Sequence, residues 1–196
     1  MDPALQSTIQ LFVLFFVIFD PFVSLAVFVI ATQSMEKKER NKIATLAVLV
    51  AALISLAVLL LGPYLLAFLS TSLDDFRVAG GIILGLLGIK MVWGQQLGSG
   101  EAIKNNSSKA VAAIIGTPLL TGPAAITSIM IGVNDYGHVA TGAAVSFVLG
   151  VSAIMFYQAT RIQKALGNTT LQVVSTILGL ITIAWGVKFI RVGLGI

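Results

Sequence analysis

The sequence predicts an all-α integral membrane protein of six transmembrane helices, arranged as two inverted three-helix repeats whose first helices, 1 and 4, are broken near the midplane. Three observations carry that expectation. Hydrophobic residues make up 57% of the 196 and charged residues 10%, against about 25% charged in an ordinary soluble domain, so most of the surface must face lipid. The apolar runs reach about 20 residues or more, enough to cross a hydrocarbon core of about 30 Å as helices. Two of these runs are interrupted by a polar residue directly before proline, in Phe19-Asp20-Pro21-Phe22-Val23-Ser24 and in Gly116-Thr117-Pro118-Leu119-Leu120-Thr121-Gly122-Pro123.

Six spans follow from the apolar runs: 5–32, 43–69, 76–94, 109–133, 138–160 and 171–194. The first lacks a basic stretch before it and is too long for the apolar region of a signal peptide, so it is expected to remain as a span. Met35-Glu36-Lys37-Lys38-Glu39-Arg40-Asn41-Lys42, between the first two spans, is the densest charge run and reads as a solvated loop. Asp74-Asp75 reads as an outer loop that caps span three, where negative charge suits a helix N-terminus. Within that span, Gly81 and Gly85 have the GxxxG spacing that lets helix backbones approach closely. Lys90 precedes Trp93 near the end of the span and reads as a side chain snorkelling to the headgroups, with a transport role as the alternative.

The polar stretch 95–108 divides the chain into a first repeat, 1–94, and a second, 109–196. Asp20-Pro21-Phe22-Val23-Ser24 matches Thr117-Pro118-Leu119-Leu120-Thr121 in residue type, and Ile83-Leu84-Gly85-Leu86 matches Ile177-Leu178-Gly179-Leu180 in the same order. Three spans per half is an odd number, so the second half enters the membrane from the opposite side. That is the inverted-repeat pattern of secondary transporters with a central site. The loops after spans one, three and five, with Lys37, Lys38, Arg40, Lys42, Lys90, Lys104, Lys109, Arg161 and Lys164, hold nine of the twelve Lys and Arg residues. The positive-inside rule places those loops in the cytoplasm and both termini outside.

The two interruptions are the candidate site. Asp20 and Thr117 can accept from the exposed N–H groups of a new helix, and Pro21 and Pro118 lack an N–H that the first helical position cannot use. Broken backbone at membrane depth is tolerated only against protein or a watery cavity. Helix N-termini converging from both sides would receive a carboxylate, and carbonyls freed upstream of Pro21, Pro118 and Pro123 would receive an ammonium. Ser24, Thr117 and Thr121 add hydroxyls, while Gly122, Ala124 and Ala125 leave room. The candidate substrate-binding residues are therefore Asp20, Pro21, Phe22, Val23, Ser24, Thr117, Pro118, Leu119, Leu120, Thr121, Gly122 and Pro123. Asp20 is the only carboxylate deep in a span, and an intramembrane charge points to function. A cap, a coupling group for a proton or sodium ion, and a direct ammonium contact are its three open roles.

These motifs resemble the MarC family, also described as small neutral amino acid transporters of the SnatA type, along essentially the whole chain. The fourth-span Thr117-Pro118-Leu119-Leu120-Thr121-Gly122-Pro123 is the most specific element, joined by Asp20-Pro21 and the glycine-rich third span. Members commonly carry Gly and a second Pro after Asp-Pro; this chain has Ser24 and Ala26 there, which predicts a differently shaped first break. The resemblance implies transport of small neutral amino acids such as glycine and alanine, ion coupling in some members, and a prokaryotic inner membrane.

Other classes fit less well. With no cysteine and one histidine, His138, thiol chemistry and a histidine metal cluster are excluded, no cofactor is called for, and the spans offer no nucleophile with its base. An enzyme is not expected. The pI near 9.6 comes from basic residues scattered at span ends, so nucleic acid is not an expected partner; the lipid bilayer and a small neutral amino acid are. A passive channel or facilitator, or an exporter of another small solute, would use the same breaks.

Overall fold

The computed structural model describes residues 3–32, 35–68, 70–94 and 120–196. Among them every regular element is helical and there is no strand: α1 (Pro3–Phe19), α2 (Pro21–Thr32), α3 (Lys37–Phe68), α4 (Leu73–Val92), α5 (Pro123–Tyr157) and α6 (Ala159–Gly193). Four stretches are long and apolar enough to cross a membrane: Thr8–Thr32, Lys37–Gly62, Pro123–Tyr157 and Thr169–Gly193. The 20-residue α4 carries Asp74, Asp75, Arg77 and Lys90 near its ends, with only uncharged residues between.

A straight helix as long as α5, 35 residues, would measure ~52 Å and overrun a bilayer. Gly137 interrupts it with a non-helical φ of 81° and ψ of 167°. A Cβ added to Gly132 would stand 3.1 Å from the Thr141 hydroxyl oxygen, although nine residues of straight helix would separate the two by ~13 Å. The chain therefore turns back at Gly137, where only a residue without Cβ adopts this backbone freely. Gly167, with φ 70° and ψ 164°, divides α6 in the same way into a short first piece and a long second one.

Contacts sort the helix ends into two groups. At one end, Gly193 approaches the Asp74 carbonyl, and Arg77 bridges Asp74 on its own helix and Asp135 at the tip of the α5 turn. At the other, the Thr45 and Tyr157 hydroxyls bond at 2.6 Å, Phe28 stacks on Phe156 with centroids 4.7 Å apart, and Gly94 lies against Gln172. Lys37, Lys38, Arg40, Lys42, Arg161 and Lys164 belong to this second end. The buried aromatic core of Phe15, Phe19, Phe28 and Phe156 joins α1 and α2 to α5.

Two stretches expected as loops are helical. The charge run Lys37–Lys42 forms the first turns of α3, and Arg161 and Lys164 lie in the first piece of α6. Lys, Glu and Arg are good helix formers when solvated, so a charged stretch beside an apolar helix extends it. Asp75 lies inside α4 and closes a capping box with Ser72, as its expected capping role requires.

The closest backbone approach is between α4 and α6, which run antiparallel. A Cβ on Gly81 would lie 2.6 Å from the Gly186 carbonyl oxygen, one on Gly88 2.5 Å from that of Gly179, and one on Gly193 2.7 Å from that of Asp74. These contacts recur every seven residues on both helices, so one stripe on each faces the other. A Cβ on Gly85, the GxxxG partner of Gly81, would meet nothing within 4 Å, although the Gly85 backbone N lies 2.9 Å from where a Cβ on Gly186 would stand. Gly81→Val and Gly88→Val are each expected to destabilise the protein by about 1–3 kcal/mol through overpacking, read as a lower melting temperature in detergent. Gly85→Ala is expected to leave it unchanged or raise it.

Candidate functional site

Asp20 is the central residue of the apolar stretch Thr8–Thr32. Helix α1 ends at Phe19, Asp20 takes a φ of 37°, and α2 begins at Pro21. Aspartate and asparagine are the residues other than glycine best suited to positive φ. Asp20 Oδ1 accepts from the Val23 N–H at 3.2 Å, which is the bond of an N-cap side chain to the third helical residue. The Asp20 carbonyl accepts from the Ser24 N–H at 3.1 Å, starting the α2 ladder. Because the Val23 N–H is turned toward the carboxylate, the Phe19 carbonyl loses its ordinary helical donor; the Ser24 hydroxyl reaches it at 3.5 Å. Capping thus uses one carboxylate oxygen. The other, Oδ2, is buried and has no hydrogen-bond partner.

The second interruption is described from Leu120 onward. Gly122, at φ −71° and ψ 177°, precedes Pro123 at the first position of α5 and supplies no side-chain cap. Leu120 and Thr121 are buried, and the Gly122 carbonyl accepts from the Ile126 N–H at 3.1 Å. The first N–H groups of α5 therefore carry the positive end of the helix without a capping oxygen from Gly122. Thr117, Pro118 and Leu119 lie outside the described residues.

The two interruptions meet. Asp20, Val23 and Ser24 line a cavity of about 280 Å³ together with Gly122, Pro123, Ala124 and Ala125, near the lower end of the ~300–1,000 Å³ of small-molecule sites. Ile18 closes it from the last turn of α1, and Ile83, Leu87, Lys90 and Met91 close it from α4. Of the remaining candidates, Pro21 is buried at the head of α2, and Phe22 lines a neighbouring cavity of about 170 Å³ with Gln163, Gln172 and Ser175. Val23 and Met91 belong to both linings. The α4 wall was missed from sequence. Only the position of Lys90, a charge inside the end of a span, pointed to it. Among the described residues no group of three or more His, Cys, Asp or Glu could hold a metal ion.

A family model described as MarC family integral membrane protein matches residues 5–195. The chain belongs to the MarC family. That bears out the resemblance read from Asp20-Pro21 and the Thr117–Pro123 motif. Among MarC relatives, the chain is 32% identical over 97% of both sequences to the UPF0056 membrane protein MJ1677 of Methanocaldococcus jannaschii. It is 29% identical to the UPF0056 membrane protein YhcE of Escherichia coli, over 94% of this chain and 90% of that one. It is 27% identical over 91% of each to YhgN of the same species, which is named an inner membrane protein. No solved structure matches the chain.

If Asp20 is chiefly the start of α2, its capping oxygen matters more than its charge. Asp20→Asn keeps both the acceptor and the tolerance of positive φ and is expected to purify with wild-type yield and melting temperature. Asp20→Val loses the cap and sets a β-branched residue at positive φ, so a loss of about 1–3 kcal/mol is expected, read as a lower melting temperature and a broadened size-exclusion peak.

Proposed function

We propose that this MarC protein is a secondary transporter of small neutral amino acids, glycine and alanine among them, working by alternating access around the cavity between the two interruptions. The observation that carries the reading is the cavity itself: a buried carboxylate with an unbonded oxygen shares one small lining with the start of α5, where Gly122 supplies no side-chain cap. A zwitterion with a short side chain complements that pair. Its ammonium meets Asp20 and the negative end of α1, and its carboxylate meets the N–H groups and positive dipole of α5. Gly122, Ala124 and Ala125 are small residues in the cavity lining, which suits a small guest.

The architecture proposed with this function is six spans in two inverted repeats, 1–94 and 109–196, joined by a cytoplasmic segment 95–108, with both termini outside a prokaryotic inner membrane. The antiparallel meeting of α4 and α6, the helices that the internal match makes equivalent, supports it. The clustering of Lys37, Lys38, Arg40, Lys42, Arg161 and Lys164 at one end fits the positive-inside rule. Asp20 is the proposed coupling residue for a proton or sodium ion.

Uptake of labelled glycine by the purified protein in liposomes, under imposed pH and sodium gradients, tests this. Accumulation above the outside concentration under one gradient, blocked by unlabelled alanine, is the expected result; equilibration without accumulation would instead make the protein a facilitator. Gly122→Val is expected to lower uptake at least tenfold without changing the melting temperature, because it fills the cavity. Asp20→Asn is expected to abolish dependence on the driving gradient while the protein stays folded, and an unchanged gradient dependence would remove Asp20 from coupling.

A further inference from the structure

Two charged side chains line the cavity, and they have opposite signs: Asp20 and Lys90. Lys90 stands in the last turn of α4, on another helix and about one helical turn beyond Leu87 and about two beyond Ile83, which share the lining. The ion pairs found among the described residues both belong to Arg77, at the other end of α4. Lys90 takes part in neither, and Asp20 Oδ2 has no partner. The rest of the α4 wall is apolar. Asp20 is buried, so its unbonded oxygen is costly, whereas Lys90 is exposed and keeps its charge at the edge of the cavity; a guest with both signs meets the two at once.

Resting on the transporter reading above, we propose that Lys90 is the specificity-determining residue that reads the substrate carboxylate, opposite the ammonium held by Asp20. Headgroup snorkelling alone would not require its place in this lining. The ammonium is a point charge on a flexible four-carbon stem, long enough to follow a carboxylate at the start of α5, where the helix dipole attracts the same group. With an anion reader and a cation reader facing each other, the cavity selects small molecules that carry both an ammonium and a carboxylate, and rejects amines and acids that carry one.

Binding of glycine and of glycinamide, which keeps the ammonium and lacks the carboxylate, to the purified full-length protein in detergent tests this. The variants are Lys90→Met, which preserves the apolar stem, and Lys90→Arg, which preserves the charge. Wild type is expected to bind glycine at least tenfold more tightly than glycinamide. Lys90→Met should weaken glycine at least tenfold, leave glycinamide unchanged and so erase the preference, and Lys90→Arg should restore most of it. Lys90→Met that binds glycine as tightly as wild type would overturn the inference and leave the transporter reading standing. Equal weakening of glycine and glycinamide would also overturn it, by making Lys90 a support for the cavity's shape. A wild-type protein that binds no amino acid, and moves none in liposomes, would overturn the transporter reading and this inference with it.

Discussion

Everything about the site depends on how one aspartate satisfies a backbone that lipid cannot. An α-helix interrupted inside an apolar layer exposes N–H groups on one side of the break and carbonyls on the other, and no solvent is there to receive them. At Asp20 the side chain receives the Val23 N–H, the following proline removes another donor, and the Ser24 hydroxyl turns back toward the Phe19 carbonyl. Backbone geometry and capping chemistry ask for the same residue: positive φ favours Asp or Asn, and the N-cap favours them too. A carboxylate, however, has more acceptor capacity than one cap consumes. The surplus oxygen is what the proposed substrate or coupling ion would meet.

Around this break the helices pack in two different manners. Helix α4 and α6 touch backbone to backbone through glycines at seven-residue intervals, which leaves few alternative rotations between them. The α1, α2 and α5 contacts are made by large aromatic side chains, Phe15, Phe28 and Phe156 among them. The cavity lies where these two kinds of packing adjoin, bounded by α4 on one side and by the starts of α2 and α5 on the other. Glycine contacts hold α4 near enough for Lys90 and Met91 to form a wall, while Val23 and Met91 separate this cavity from its neighbour. A gap between a rigid glycine-packed pair and a bulkier aromatic group is a natural place for a small polar guest.

Charge follows the same division. The end with the α3 start and the first piece of α6 is basic, whereas Asp74 and Asp135 pair with Arg77 at the opposite end. Arg77 thereby ties the start of α4 to the turn at Gly137, so the end remote from Lys90 is bound by an ion pair across two helices. Both carboxylates are exposed, so these bridges contribute little stability each.

Much of this was legible in one dimension. Composition alone determined a membrane protein of helices, because a chain with so few charges cannot solvate its surface and unpaired backbone cannot face lipid. Asp20-Pro21 marked a helix start because capping and proline geometry are local properties; the second start was read at Thr117-Pro118, which lies outside the described residues, and the helix that the structure describes begins at Pro123. Glycine content pointed to close helix packing, and Gly81 and Gly85 of the GxxxG spacing do both approach Gly186 through their backbones, but Gly88, seven residues beyond Gly81, makes the next contact with α6, and a Cβ on Gly85 itself would meet nothing. Which glycines touch depends on how two helices rotate against each other, and that is set by the partner. For the same reason only the tertiary structure could bring Asp20 and Gly122, about a hundred residues apart, into one cavity and set Lys90 in its wall. A helix face has no address until its neighbours are placed, whereas a cap, a turn and an apolar run are decided by the few residues that make them.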